Sequence, residues 1–197
     1  MNILLLGATG SIGDSVLSVI EENHSELNLF GITFHKNINK SQEIIKDFKP
    51  QFAYVEDRST FEDQKDTSDI TFLNGDSSLK ELIEHDDVDV IISGISGFAG
   101  LKATYLAAST GKKILLANKE SIVAGGDLIT ARAKKFNSKI IPIDSEHNAI
   151  FQCLSGQRSP DDVQNITITA SGGPFIGKKI SDLKDVTKDD ALNHPNW

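Results

Sequence analysis

Residues 1–20, MNILLLGATGSIGDSVLSVI, join an apolar run to a glycine-rich turn and then to a helical pattern. Ile3–Leu6 predicts a buried strand, and Gly7, Gly10 and Gly13 follow at intervals of three residues. The apolar positions after the turn repeat at helical spacing: Ile12, Val16, Val19 and Ile20. A strand, a glycine turn and a helix in this order predict a dinucleotide-binding turn, although the middle of the G-x-G-x-x-G fingerprint is altered. A glycine-rich turn without a ligand is the alternative.

Each glycine of this turn has a predicted role. Gly7 supplies the backbone angle of a tight turn, Gly10 leaves room for a pyrophosphate, and Gly13 allows close packing of helix on strand. Residues 9–12 then present backbone N–H groups at the start of a helix, which favours phosphate binding.

The rest of the chain alternates short apolar runs with amphipathic helical patterns. Strands are predicted at Ile3–Leu6, Leu29–Phe34, Phe52–Val55, Val88–Ser93, Ile114–Ala117 and Ile140–Ile143. Helices are predicted at Ser11–Glu22, Lys40–Phe48, Ser78–Glu84, Leu101–Ser109 and Leu128–Phe136. This alternation predicts an α/β fold with a doubly wound, mostly parallel, Rossmann-like sheet. The polar stretch 57–69 is interpreted as an irregular surface excursion.

The alternation stops after Ile143, which indicates a second domain of α+β type. Asn148–Leu154 predicts a short helix, Gly156–Asp162 a loop, and the alternating residues Ile166, Ile168 and Ala170 a half-buried strand. We therefore divide the chain into domains 1–143 and 144–197, and we expect the second to be incomplete.

Composition narrows the class of protein. A formal charge of −8 argues against a general nucleic-acid binder. The single cysteine, Cys153, excludes an internal disulfide framework, and no apolar stretch approaches the ~20 residues that cross a bilayer. We expect a cytoplasmic protein with neither a nucleic-acid nor a membrane partner.

The end of the second predicted strand indicates the dinucleotide. NAD-binding proteins usually place an acid there to bind the ribose 2′-hydroxyl. This chain has His35, Lys36 and Asn37 instead, and a cation at that place favours the 2′-phosphate of NADP. An ordinary solvated lysine is the alternative for Lys36.

Three further clusters follow predicted strands or turns. Asp144 and Glu146 stand two residues apart, so that both carboxylates could bind one hard cation; alternatively, Asp144 or Ser145 could cap the next helix. Lys119 follows another strand and could bind phosphate or pair with an acid. Ser171 lies in a glycine-flanked turn, and the role of Cys153 stays open.

Seven strings carry a resemblance to one family: GATGSIG, HKN, GISGFAGL, LLANKES, IPIDSEHNAIFQ, TASGGPF and HPNW. In order and spacing they resemble 1-deoxy-D-xylulose 5-phosphate reductoisomerase over residues 1–197. The resemblance implies an enzyme that uses NADPH and a divalent cation (Mg, Mn or Co). It implies rearrangement and reduction of a phosphosugar, 1-deoxy-D-xylulose 5-phosphate, to 2-C-methyl-D-erythritol 4-phosphate in non-mevalonate isoprenoid synthesis.

The resemblance also implies roles for individual residues. The implied NADPH contacts are Thr9, Gly10, Ser11, Ile12, His35, Lys36, Asn37, Asn118 and Glu120. The implied metal ligands are Asp144 and Glu146, which with Lys119 form the catalytic set. The implied substrate contacts are Lys119, Ser145, Glu146, Ser171, His194 and Trp197. At position 35 this chain departs from the family, which often has a small residue there.

The family resemblance implies a homodimer and a chain roughly twice as long, well above the size of a typical single domain. We therefore expect residues 1–197 alone to bind NADPH with little or no turnover. The alternatives are an NADP-binding sensor module and another NADP-dependent dehydrogenase such as a semialdehyde dehydrogenase. The Tyr-x-x-x-Lys pair of short-chain dehydrogenases is missing, because Tyr54 and Tyr105 are followed four residues later by Arg58 and Ser109.

Overall fold

The computed structural model describes residues 1–64, 70–156, 160–167 and 172–193. The strands are β1 (Asn2–Leu6), β2 (Asn28–Phe34), β3 (Phe52–Val55), β4 (Thr71–Leu73), β5 (Val90–Ser93), β6 (Lys113–Leu116) and β7 (Lys139–Pro142). The helices are α1 (Ser11–Glu22), α2 (Ile38–Phe48), α3 (Arg58–Gln64), α4 (Asp76–Glu84), α5 (Gly100–Ala107), α6 (Lys119–Phe136), α7 (Ser145–Leu154) and α8 (Lys188–Leu192).

The seven strands form one parallel sheet in the order β4-β3-β2-β1-β5-β6-β7. The chain winds outward from β1 in one direction through β2 to β4, then returns and winds the other way through β5 to β7. The order therefore reverses between β1 and β5, where open α/β sheets carry their ligands beyond the carboxyl ends of the strands. The predicted fold class is confirmed.

Apolar residues occupy both the odd-numbered and the even-numbered positions of the strands, and they build one hydrophobic core on each face of the sheet. On one face Leu4 and Leu6 pack with Leu79 of α4, Ala103 of α5 and Ile129 of α6. The other face has a second cluster, which includes Ile3, Leu5, Leu17, Ile20 and Ile44 from β1, α1 and α2. Because neighbouring strand residues point to opposite faces, a continuous apolar run is what a doubly covered strand requires.

The six strands predicted within residues 1–143 and most predicted helices agree with the structure to within two residues at each end. The stretch 57–69 was predicted to be irregular, and this is wrong over Arg58–Gln64, which forms α3. Asp57 begins that helix by accepting a hydrogen bond from the Thr60 backbone N–H at 3.0 Å. Residues 65–69 lie outside the described residues.

Helix α6 begins nine residues before the predicted start at Leu128, since it begins at Lys119. Gly125 and Gly126 interrupt the helical pattern in the sequence, and Gly125 has non-helical backbone angles (φ −143°, ψ 25°). The helix is therefore kinked at Gly125, and a glycine there lowers helix propensity enough to conceal the first two turns. Helix α7 likewise begins at Ser145, three residues before its predicted start.

The chain divides into two compact units, Met1–Cys153 and Leu154–Trp197. The second contains α8 and short 3₁₀ turns at Pro160–Asp162, Gly173–Phe175 and Ile180–Leu183. The strand predicted around Ile166 is wrong for residues 163–167, which form none, and Ile166 is 55% exposed. Ile168 and Ala170 lie outside the described residues. The domain boundary after residue 143 stays a prediction.

No helix in the described part of the chain has the length and apolar character needed to cross a bilayer.

Candidate functional site

The three glycines of the first turn meet different surroundings. Gly7 has φ +85°, and a Cβ there would lie 3.0 Å from the backbone of Gly94. A Cβ on Gly13 would lie 2.0 Å from the carbonyl oxygen of Ala8, so that α1 packs against the chain with no room for a side chain. These two glycines are required by the protein itself, through backbone conformation and through packing.

Gly10 differs from both, because its surroundings do not require a glycine. Its backbone angles (φ −87°, ψ 175°) suit any residue, and the atom nearest to a Cβ at this position would be the Gly7 oxygen at 3.5 Å. The space above Gly10 is therefore open. Neither backbone conformation nor packing requires a glycine at position 10. Its missing side chain instead leaves the backbone accessible for close approach by a ligand.

Gly10 is also the N-cap of α1, and no side chain caps this helix end. The N–H groups of the first helical turn carry the positive end of the helix dipole, which favours an anion. The acid in this turn, Asp14, is neutralised by Lys40 of α2, whose Nζ lies 2.6 Å from Asp14 Oδ1. Ile12 packs its side chain near Gly94, so Ile12 offers a ligand its backbone.

A cleft of about 500 Å³ opens at the carboxyl edge of the sheet, where the strand order reverses. Thr9 and Gly10 of the turn, His35 after β2, Glu56 after β3 and Lys102 of α5 line it. The structure thus brings together three of the predicted cofactor residues, Thr9, Gly10 and His35. Ser11 and Ile12 begin the helix next to the turn, and Lys36 and Asn37 directly follow His35.

The segment after β2 is held by short polar contacts. Lys36 is 65% exposed, and its Nζ lies 3.5 Å from Asp57 Oδ1. Hydrogen bonds from Ser59 and Thr60 hold the pKa of Asp57 well below its usual range, so Asp57 stays a charged partner for Lys36. Asn37 caps α2 by accepting a hydrogen bond from the Lys40 backbone N–H at 3.2 Å. Because Lys36 itself is largely exposed, its ammonium group remains accessible to a phosphate beside this half-buried carboxylate.

Asn118 is 2% exposed and joins α6 to the loop after β5. Its Oδ1 accepts a hydrogen bond from the Ser121 backbone N–H at 2.6 Å, which caps α6. Its Nδ2 donates to the carbonyl oxygens of Ile95 and Gly97, the latter at 2.8 Å. The side chain is therefore engaged within the protein on both its amide atoms. Its contact with the cofactor, like that of the exposed Glu120, stays a prediction.

Asp144 follows β7 and begins α7, as the capping alternative described. Its Oδ1 accepts a hydrogen bond from the His147 backbone N–H at 3.1 Å, and its Oδ2 lies 2.9 Å from His147 Nδ1. Burial raises the pKa of Asp144, but the two contacts with His147 outweigh it, so that the pKa lies below its ordinary value.

Glu146 lies one helical position beyond Ser145 and faces Lys119, with Nζ 3.6 Å from Glu146 Oε2. The ends of β6 and β7 are neighbours in the sheet, which explains how residues 27 apart in sequence meet. Among the described residues, no three His, Cys, Asp or Glu side chains are grouped so as to hold a metal ion. Asp144 and Glu146 as metal ligands stay a prediction, as does the substrate role of Ser145.

Three predicted substrate residues, Ser171, His194 and Trp197, lie outside the described residues. In the other direction, the sequence prediction missed Tyr54, Glu56 and Lys102, which also line the cleft. The sequence prediction considered the residues that directly follow β2. The same step applied to β3 would have found Glu56, because Glu56 follows β3 as His35 follows β2. The position of Lys102 depends on the packing of α5 beside the cleft, for which its own sequence context gives no signal.

Comparisons with known proteins agree with this architecture. The family model described as 1-deoxy-D-xylulose 5-phosphate reductoisomerase matches residues 3–126, and that of the C-terminal domain of the same enzyme matches residues 140–197. A 1-deoxy-D-xylulose 5-phosphate reductoisomerase of Francisella tularensis subsp. novicida is 47% identical over 198 residues, which are 99% of this chain and 51% of the relative. One of Clostridium botulinum is 42% identical over 201 residues, covering 100% of this chain and 52% of the relative.

Solved structures give the same result. A DOX-P reductoisomerase in complex with NADPH, fosmidomycin and magnesium has a TM-score of 0.81 and 38% identity, over 100% of this chain and 52% of that one. The Zymomonas mobilis enzyme in complex with NADPH has a TM-score of 0.82 and 36% identity, over 98% of this chain and 52% of that one.

The chain spans about half the length of the curated relatives it matches. The matches to both family models extend from the glycine turn to the last residues, and the resemblance inferred from the motifs is confirmed. The chain belongs to the 1-deoxy-D-xylulose 5-phosphate reductoisomerase family.

Proposed function

We propose that this chain forms the NADPH-binding part, and the beginning of the catalytic part, of a 1-deoxy-D-xylulose 5-phosphate reductoisomerase. The observation that carries the proposal is the open space above Gly10, at the uncapped start of α1 and beside the cleft where the sheet order reverses. Relatives of the same family are described in complex with NADPH. The boundary between the two parts is proposed at residues 143 and 144.

The residues of the cleft fit a dinucleotide phosphate. Bare backbone at Gly10 and the N–H groups of Ser11 and Ile12 would hold the pyrophosphate, with Thr9 beside them. His35, Lys36 and Asn37 would hold the adenosine phosphate, and Asn118 and Glu120 would lie toward the nicotinamide. When bound, NADPH supplies the hydride that reduces the rearranged sugar.

Asp144 and Glu146 are proposed as ligands of a divalent cation. Carboxylate oxygens are the ligands that Mg²⁺ prefers, Mn²⁺ and Co²⁺ are alternatives, and a relative is described in complex with magnesium. The contacts with His147 lower the pKa of Asp144, so its carboxylate is ionised near pH 7. When bound, the cation supplies positive charge beside the oxygens of the substrate.

Lys119 is proposed to hold the anionic substrate. Its ion pair with Glu146 keeps its ammonium group next to one of the two carboxylates proposed for the cation. Ser145, Glu146, Ser171, His194 and Trp197 complete the proposed set of substrate contacts. The substrate is a phosphosugar, 1-deoxy-D-xylulose 5-phosphate, and the whole enzyme is proposed to be a cytoplasmic homodimer.

A calorimetric titration of the 197-residue chain with NADPH and with NADH tests the cofactor. We expect NADPH to bind more tightly, because the Lys36 ammonium group lies at the end of β2 without an acid in the 35–37 segment. Lys36→Glu should reduce the preference for NADPH about tenfold or more, since a hydrogen bond to a charged group is lost and a repulsion is added.

Lys46→Glu is the matched control, because Lys46 lies exposed in the last turn of α2, away from the carboxyl edge of the sheet. This variant should keep the preference of the wild type. If the wild type binds neither dinucleotide, the proposed function is wrong. If Lys36→Glu keeps the wild-type preference, only the assignment of Lys36 is wrong.

A further inference from the structure

Glu56 supplies the one carboxylate among the described residues that line the cleft. It follows β3, whose carboxyl end lies beside that of β2 through the pair Phe34 and Val55. A negative charge in a cleft that is proposed to hold a polyanionic dinucleotide needs a reason, because it repels the phosphates. An ionised carboxylate accepts hydrogen bonds and donates none, so its ligand must present a donor.

The end of β3 is held in place by hydrogen bonds. The Glu56 backbone N–H donates to the Phe34 oxygen at 2.9 Å, and Asn74 Nδ2 donates to the Val55 and Glu56 oxygens at 2.6 and 3.3 Å. The buried Tyr54, which is 3% exposed, donates its hydroxyl to Glu56 Oε2 at 2.9 Å. Burial and the neighbouring carboxylate raise the pKa of Tyr54, which keeps this hydroxyl a donor.

The second oxygen, Glu56 Oε1, has no hydrogen-bond partner in the described part of the chain. One oxygen is therefore fixed by Tyr54 while the other stays available at the cleft. Leu79 of α4, Ile95 after β5 and Ala103 of α5 add apolar walls to the cleft. Apolar walls with one fixed acceptor suit a flat heterocycle that carries an amino group.

The order of the strands decides which part of the dinucleotide reaches Glu56. The glycine turn follows β1, the segment 35–37 follows β2, and Glu56 follows β3, so successive strand ends lie about 4.8 Å apart in this direction. With the pyrophosphate at the turn and the phosphorylated ribose at 35–37, the next group outward is the adenine. The donor that adenine offers is its exocyclic 6-amino group.

We propose that Glu56, positioned by Tyr54, accepts a hydrogen bond from the 6-amino group of adenine and selects adenine over 6-oxopurines. The inference rests on the proposed binding of NADPH in this cleft. An oxygen at position 6 would place two acceptors face to face, so the site would discriminate by repulsion as well as by a lost hydrogen bond.

The test compares NADPH with the reduced nicotinamide hypoxanthine dinucleotide phosphate, which has an oxygen in place of the 6-amino group. Calorimetric titration of the wild-type chain should give a Kd for the hypoxanthine compound at least about tenfold higher, the effect of a hydrogen bond to a charged group. Glu56→Gln keeps the shape and offers both a donor and an acceptor, so the two Kd values should then differ by about threefold or less.

Two further variants make the result specific. Tyr54→Phe keeps the packing and removes the hydroxyl, so the discrimination should fall while Glu56 remains; unchanged discrimination would overturn the role of Tyr54 as a positioning residue. Glu84→Gln is the matched control, because Glu84 ends α4 and pairs with Lys80 rather than lining the cleft. It should keep the wild-type ratio.

The possible results separate the proposed binding of NADPH from the proposed role of Glu56. If the wild type binds NADPH but binds the hypoxanthine compound equally well, the role of Glu56 is overturned and the proposed function stands. Full discrimination in Glu56→Gln overturns the role of Glu56 as well. If the wild type binds neither compound, both proposals fail together.

Discussion

Two glycine-to-alanine variants, Gly10→Ala and Gly13→Ala, should have opposite effects on folding and on cofactor binding. The two glycines stand three residues apart in the same turn, and each change adds one methyl group. A Cβ at position 10 meets nothing closer than 3.5 Å, whereas a Cβ at position 13 would lie 2.0 Å from the Ala8 oxygen. The first methyl group enters open space, and the second enters the packed backbone.

Gly13→Ala should destabilise the fold. The helix must move away from Ala8 by more than an ångström, and overpacking of this kind costs about 1–3 kcal/mol. Because the obstructing atom belongs to the backbone, the cost lies in the upper part of this range, about 2–3 kcal/mol, and the higher helix propensity of alanine returns about 1 kcal/mol. The net loss should therefore be about 1–2 kcal/mol. For a chain of this size, that loss lowers Tm by roughly 2–8 °C.

Gly10→Ala should leave stability within about 1 kcal/mol of the wild type. Its backbone angles suit alanine, and the smaller entropy of the unfolded chain offsets the weaker N-cap preference. The methyl group would stand where a pyrophosphate approaches the turn. We therefore expect the affinity for NADPH to fall about tenfold or more, at unchanged Tm.

Thermal unfolding followed by circular dichroism gives Tm, and calorimetric titration gives the Kd for NADPH. The expected pattern is a low Tm for Gly13→Ala and a high Kd at normal Tm for Gly10→Ala. If Gly10→Ala binds NADPH as the wild type does, the open space is not the phosphate site. If Gly13→Ala keeps the wild-type Tm, the reasoning from the Ala8 contact is wrong.

Three other predictions concern the rim of the sheet. Asn118→Ala should lower the free energy of unfolding by roughly 2–4 kcal/mol in denaturant titration, because two carbonyl oxygens and one N–H group lose a buried partner. Asp144→Ala should cost about 0.5–2 kcal/mol near pH 7 through the lost cap. This difference should shrink as the pH falls below about 4 and be lost once the pH lies below the lowered pKa of the folded state, since a carboxyl whose pKa is lowered on folding stabilises only while it is ionised. The 197-residue chain should oxidise no NADPH when given 1-deoxy-D-xylulose 5-phosphate and Mg²⁺, because no third ligand joins Asp144 and Glu146 among the described residues.

Different outcomes would contradict these three predictions. A stability loss below about 1 kcal/mol for Asn118→Ala would mean that water replaces its contacts. A cost of Asp144→Ala that persists unchanged at pH 3 would mean that the carboxylate does not act through its charge. Substrate-dependent oxidation of NADPH by the purified chain, followed at 340 nm, would show that the residues present suffice for turnover.

The sheet could be predicted because its strands are nearly continuous apolar runs. Ile3–Leu6 and Leu29–Phe34 have this form, and both strands are covered on two faces. The short edge strand β4 could not be predicted, because Thr71–Leu73 has three residues and none of them is buried. Helix α3 was missed for a related reason: it is polar, and it depends on the cap at Asp57.

Residues of the cleft could be predicted from the sequence where they lie within one local motif or directly after a predicted strand. Thr9 and Gly10 lie in a single turn, and His35 ends the next strand, so the sequence alone placed them at one edge of the sheet. Glu56 and Lys102 reach the same cleft only through the order of the strands and the packing of α5. That order is a long-range property, which local spacing does not specify.

Helices α5 and α6 are joined by two contacts that leave little freedom between them. Leu101 of α5 fills the notch at Gly125, where a Cβ would lie 2.9 Å from Leu101 Cδ1, and Asn118 binds the loop that precedes α5. These contacts therefore connect the wall of the cleft directly to the start of α6, which carries Lys119. If the cleft holds NADPH and Lys119 holds the substrate, as proposed above, the distance between the two is set when the protein folds, and their alignment needs no movement of this part of the chain.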